Sequence, residues 1–115
     1  MDYQPDNWVV IRIKEEEEVL YKVLGGWSGG YLSGDSWRMN SGIVRHEFGG
    51  KFWYFYGYSG SRYKCHVDGY GLRMNNAYVW ESLKDRYGGA VEILEDQEWV
   101  KEGFEWAKES KGFLE

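Results

Sequence analysis

Lys51-Phe52-Trp53-Tyr54-Phe55-Tyr56-Gly57-Tyr58-Ser59-Gly60-Ser61-Arg62-Tyr63-Lys64-Cys65-His66 is the stretch on which the fold turns. Seven of its sixteen side chains are aromatic, and Gly57 to Ser61 divides it. Aromatic residues suit a pleated, half-buried surface, and clustered glycine and serine interrupt one. The stretch therefore reads as a strand, a turn and a returning strand over Arg62 to Val67. Gly49-Gly50 just upstream is a two-residue hairpin signal. It joins this pair to a strand over Ser36 to Phe48 anchored by Trp37, Met39, Ile43 and Phe48, with Ser41-Gly42 as a bulge or bend.

Further out, Asn7 to Lys14 begins β-branched and ends in apolar/charged alternation, the pattern of a strand with one wetter face. Glu15 to Glu18 are four consecutive carboxylates, which repel one another and suit an exposed hairpin turn. Val19 to Leu24 alternates again as a second strand. Five glycines between Gly25 and Gly34 predict a loop or an irregular strand edge. Asp68-Gly69 is a turn leading to a short segment, Tyr70 to Met74. The period then changes. Trp80, Leu83 and Tyr87 recur at helical spacing, with Asn75 or Asn76 as a cap and Gly88-Gly89 as a stop. Ala90 to Leu94 reads as a last strand or a connection. Gln97 to Ser110 is a second amphipathic helix. The fold class expected is α+β: one antiparallel sheet of five or six strands, followed by two C-terminal helices covering one face.

At 115 residues the chain is one domain, spanning 1–115. The net charge of −5 is unevenly spread, since residues 36–75 carry six basic and two acidic side chains while both flanks are acidic. That pattern allows a basic, aromatic face between acidic surroundings. With Cys65 the single cysteine, no intrachain disulfide can form, and with no signal-peptide pattern the cytoplasm is the expected compartment. No apolar run approaches about 18 residues, so no membrane span is expected.

Several motifs tempt and fail. Gly26-Trp27-Ser28-Gly29-Gly30 matches the nucleophile-elbow pattern, but no helix follows the serine and the chain is too short for that hydrolase fold. Gly34-Asp35-Ser36-Trp37 echoes a lipase-like opening, yet no histidine follows His66 to complete it. His46, His66 and Cys65 fall short of four zinc ligands, and strand alternation sends Cys65 and His66 to opposite faces. Neither a catalytic set, a metal site nor a cofactor is expected.

Two features remain. Gly26-Trp27-Ser28-Gly29-Gly30-Tyr31 and Gly57-Tyr58-Ser59-Gly60-Ser61-Arg62-Tyr63 share the order glycine, aromatic, serine, glycine, then tyrosine. Brought together, they would set Trp27, Tyr31, Tyr58 and Tyr63 around Ser28, Ser59 and Ser61, a rim for a small ligand or sugar. The alternative is that both are turns whose aromatics cover the core. The basic middle, Arg38, Arg45, Lys51, Arg62, Lys64 and Arg73, lies among Trp and Tyr residues, as on strand surfaces that stack bases and neutralise phosphates.

From Tyr21 to Tyr31, Gly34 to Gly42 and Gly57 to Ser61, the chain resembles short proteins of tailed bacteriophages, especially those infecting marine cyanobacteria. The similarity runs from about Asn7 to Tyr87. The group has no assigned activity, so no site residue carries over. The resemblance implies an infected bacterial cytoplasm and an accessory role such as binding a host protein. The leading expectation is a non-enzymatic module that binds a protein partner or itself through aromatic and edge-strand surface. The first rival is a single-stranded nucleic-acid binder using Trp37, Arg38, Arg62, Tyr63 and Lys64, and the second is a small-ligand or carbohydrate binder.

Overall fold

In the computed structural model, residues 2–30, 34–101 and 106 are described. The expected single sheet is instead two four-stranded sheets. The first joins β1 (Asp2–Tyr3), β7 (Arg62–His66), β6 (Phe52–Gly57) and β5 (Ile43–Gly49) in that order. The second joins β4 (Gly34–Met39), β3 (Glu18–Gly30), β2 (Asn7–Glu15) and β8 (Val91–Ile93). Every pairing is antiparallel except β1 with β7.

The split happens at Asn40-Ser41-Gly42, where the sequence suggested a bend within one strand. Asn40 N–H donates to Val23 O, closing β4 onto the second sheet, and Gly42 O accepts from Tyr58 N–H, opening β5 onto the first. Gly42 has φ 141°, and a Cβ there would meet Leu20 and Tyr58 at 2.9 Å, so the crossover needs glycine on both counts.

The sheets face each other across an aromatic core. Trp8, Val10, Tyr21 and Val23 from the second sheet meet Trp53, Phe55, Tyr63 and Cys65 from the first. Trp99, on α2 (Glu98–Lys101), is fully buried among Trp8, Trp53, Phe55 and Tyr70, at centroid distances of 5.8, 5.5, 5.4 and 5.8 Å. Such tilted and edge-on contacts suit the ring quadrupole. Residues 102–105 and 107–110 of the expected second helix lie outside the described residues.

The second sheet is covered again on its far side by α1 (Met74–Tyr87). Val9, Ile11, Ile13 and Leu24 point that way and meet Val79, with Trp80, Leu83 and Tyr87 packed alongside. β2 is buried on both faces at its start, where Trp8 and Val10 point inward and Val9 and Ile11 toward α1; the expected alternation follows at its end, with Ile13 buried and Arg12 and Lys14 on the wetter face. The unbroken run Trp8-Val9-Val10-Ile11 is what a strand buried on both faces requires.

The start of α1 differs from expectation. Arg73 precedes the helix, and Asn76 Oδ1 accepts from the Arg73 N–H at 2.9 Å. Asn75 turns inward, where its Nδ2 donates to Asn7 Oδ1 at 2.7 Å, while Asn7 Nδ2 donates to Asn76 Oδ1. These amides tie the helix to the head of β2. Gly26 lies directly beneath, and a Cβ there would come within 2.1 Å of Asn75 Oδ1. This glycine serves close packing inside β3, which runs on to Gly30 as the irregular strand that was one of the two expectations, its register with β4 shifting between Trp27 and Gly30. Elsewhere the reading holds: Glu16-Glu17 is an exposed turn, Val91–Ile93 is a strand, and Gly88 ends α1. The hairpin turn before β6 falls at Gly50-Lys51, one residue later than expected.

Candidate functional site

The first sheet has no helix on its outer face among the described residues, and its composition there is unusual. On β6, Trp53 and Phe55 point inward, so Phe52, Tyr54 and Tyr56 point out. None of these three belongs to either core cluster. Alternate residues on a strand repeat every ~6.6 Å, and the Phe52 and Tyr54 centroids stand 6.4 Å apart. β7 supplies the neighbours, since Arg62 lies opposite Tyr56, Lys64 opposite Tyr54 and His66 opposite Phe52. From β5, Arg45 lies opposite Tyr56 and Glu47 opposite Tyr54.

The cations settle on the rings. The Arg45 guanidinium lies 3.7 Å from the Tyr56 centroid, Arg62 lies 5.2 Å from Tyr54, and Lys64 Nζ lies 4.3 Å from Phe52. Each such contact at an exposed site contributes about 0.5–1 kcal/mol, enough to hold the side chains flat over the sheet. Two carboxylates help to position them. Glu47 pairs with Arg45, and Asp2 on β1 pairs with Arg62 at 2.5 Å. The hydrogen bond from Arg62 holds the Asp2 carboxyl below its ordinary range, and that from Arg45 does the same for Glu47. Lys64 takes part in none of the described ion pairs. The face is thus a three-ring ladder on one strand, bordered by cations on both neighbouring strands.

The expected site residues divide among several places. Arg62 is on this face. Tyr63, its neighbour, points inward and is buried, and burial pushes its hydroxyl up to about 12, so it belongs to the core. Cys65 is likewise buried, which raises its thiol well above the ordinary value, while His66 is on the outer face. Trp27, Trp37 and Arg38 do come together. They line a groove of about 440 Å³ with Asp2, Tyr3 and Gln4. The Arg38 guanidinium sits 4.6 Å from the Tyr3 ring, and Trp27 Nε1 donates to Gln4 O. Ser28 is exposed and its N–H donates to Asp6 Oδ2.

Tyr58, Ser59 and Ser61 form a separate turn. Ser41 Oγ accepts from the Ser59 N–H and contacts Ser59 Oγ, which in turn contacts Ser61 Oγ. Tyr58 lies beside Gly42 and Leu20. Leu20 and Trp27 are seven residues apart along β3, roughly 23 Å of extended chain. The two similar loops therefore do not build one rim. Tyr31 lies outside the described residues.

Phe52, Tyr54 and Tyr56 were not among the expected site residues, because motif-like patterns of glycine and serine occur in the turns and not on the strand. Period-two alternation through the opening stretch contained the signal: the set that shares a face with Arg62, Lys64 and His66 is Phe52, Tyr54 and Tyr56. Among the described residues no cluster of His, Cys, Asp and Glu could hold a metal ion, and no helix is long and apolar enough to cross a membrane. No protein-family model, curated protein or solved structure matches this chain.

Proposed function

We propose that the outer face of the first sheet binds single-stranded nucleic acid. The observation that carries the reading is the ladder Phe52, Tyr54, Tyr56 with Arg45, Arg62 and Lys64 laid over its rings. Bases stack on aromatic rings or on guanidinium planes, and the neighbouring cations neutralise the phosphates that connect the bases. A flat sheet face accepts a splayed single strand and offers nothing that enters a duplex groove. The cations favour a phosphate-bearing ligand over a neutral sugar, for which rings alone would serve.

The net charge of −5 does not oppose this reading. The carboxylates of Glu15 to Glu18, Glu81, Asp85 and Glu92 belong to the second sheet, its hairpin and α1, away from this face. Of the two on it, Asp2 pairs with Arg62 and Glu47 with Arg45, which leaves the charge of Lys64 in excess. An accessory role in an infected bacterial cytoplasm, as the resemblance to phage proteins implies, is compatible with a small binder of this kind.

The test is fluorescence anisotropy of a labelled oligopyrimidine at low salt. Binding is expected to weaken with salt at a log–log slope between about −0.7, if Lys64 alone meets a phosphate, and about −2, if Arg45 and Arg62 exchange their carboxylates for phosphates as well. Double-stranded competitor should displace little. Absence of binding at low salt, or binding indifferent to Tyr54→Ala and Lys64→Ala together, would overturn the reading.

A further inference from the structure

A sheet edge exposes a row of unpaired backbone groups, and proteins commonly blunt such edges by shortness, bulges, charge or proline. The edges of this sandwich differ in that respect. β1 has two residues and β8 has three. β5 has an irregular register between Ile43 and Arg45, and it carries Arg45 and Glu47 as charges. β4 is six residues long and has neither proline nor lysine; it carries Arg38, and its register with β3 shifts between Trp27 and Gly30 but is regular from Ser36 to Met39, so what sets it apart is the apolar surface beside it.

Which of its backbone groups are free follows from one hydrogen bond. Asn40 N–H donates to Val23 O, so Asn40 faces β3. Backbone direction alternates along an antiparallel pair, so Arg38 and Ser36 also face β3, while Met39 and Trp37 direct N–H and C=O to the open edge. Beside that edge, apolar side chains are left in solvent. Trp37 is 42% exposed and Tyr78 58%. Trp37 and Tyr78 line one groove of about 300 Å³ with Met39, Leu83 and Arg86, between β4 and α1.

We propose that β4 pairs with β4 of a second copy of this chain, antiparallel about a twofold axis at Trp37. The edge is self-complementary in that register. Trp37 meets its own counterpart as a hydrogen-bonded pair, and Arg38 lies opposite Ser36 of the other copy. Shifting the register so that Arg38 faces Arg38 would oppose like charges, which disfavours it. A partner chain of different sequence would need its own match to this groove, whereas the second copy supplies Trp37 and Tyr78 from both sides at once. The twofold axis stands perpendicular to the second sheet, so both copies of α1 share one side and both first sheets share the other. If the proposed function holds, two aromatic faces then lie side by side on one surface, ready for a longer strand. The dimer itself does not depend on that function.

The experiment is light scattering after size exclusion over a dilution series, without oligonucleotide. The expected mass at high concentration is twice 13.6 kDa, falling toward 13.6 kDa on dilution. Trp37→Pro removes an outward N–H without breaking a bond to β3, and it should give the single-copy mass throughout. Should that variant fail to fold, as judged by circular dichroism, hydrogen exchange of the native protein decides: the Trp37 and Met39 amides should exchange slowly when concentrated and rapidly when dilute. A single-copy mass at every concentration, a dimer that survives in folded Trp37→Pro, or fast exchange of both amides at high concentration would each overturn the proposal.

Discussion

The two sheets solve the same problem in opposite ways. Both turn one face to the shared aromatic core, and each must do something with the other. The second sheet places Val9, Ile11, Ile13 and Leu24 on its outer face and covers them with α1. The first places Phe52, Tyr54 and Tyr56 there, large rings by any measure, and covers them with cations instead of a helix. Hydrophobic area alone would treat the two faces alike. The difference lies in polar edges and in what sits beside them: aliphatic side chains demand a dry partner, whereas tyrosines ringed by arginine and lysine remain stable in water and stay available.

The comparison is sharpened most by stability. Ile11→Ala empties a site buried between β2 and α1 and should cost about 2–5 kcal/mol in urea denaturation. Tyr54→Ala, made on the open face, should cost only about 0.5–1 kcal/mol, the worth of its contact with Arg62. Equal losses would mean that the outer rings are structural and would break the distinction. Affinity should reverse the order. Tyr54→Ala is expected to weaken oligonucleotide binding by about 1–3 kcal/mol, roughly 5- to 150-fold, in the anisotropy titration. Ile11→Val, which keeps the face intact, should leave the affinity unchanged.

A smaller effect is expected at the seam between helix and sheet. Gly26→Ala pushes a methyl against Asn75 and should destabilise by about 1–3 kcal/mol through overpacking. Measured by thermal unfolding, that loss should come without any change in oligonucleotide affinity. The smallest effect is pH-dependent. Burial lowers the pKa of His46 below 6.5, and its Nδ1 accepts from Trp106 Nε1 at 2.6 Å, which requires a neutral imidazole. The unfolded chain binds the proton more readily, so stability is full above about 6.5 and declines as pH falls from there toward the lower folded value. His46→Gln should flatten that slope in denaturation curves taken across the range.

Much of the fold was legible because alternation and glycine punctuation are local. The strands on either side of Gly57 to Ser61, the helix through Trp80 and Leu83, and the carboxylate turn could each be read from a few residues. The partition into two sheets could not. Asn40-Ser41-Gly42 looks the same whether the chain bends within a strand or crosses between sheets, and the bonds that decide it reach to Val23 and Tyr58. β1 was invisible for a similar reason: two residues become a strand only because Arg62 and Tyr63 lie beside them. At the candidate site the cations were found and the rings were not. Tyr63 looked available until register turned it inward, and the same register turned Tyr54 out.

The burial of Trp99 against Trp8 has a consequence for synthesis. The two indoles lie 5.8 Å apart although they are encoded at opposite ends of the described chain. Translation at about 5–20 residues per second leaves Trp8, Val9, Val10 and Ile11 waiting on the order of 5 to 20 s for the residues that will enclose them. β8, α1 and α2 all arrive late as well. The nascent chain thus keeps its most apolar strand unfinished on both sides until Val79, Val91 and Trp99 have emerged.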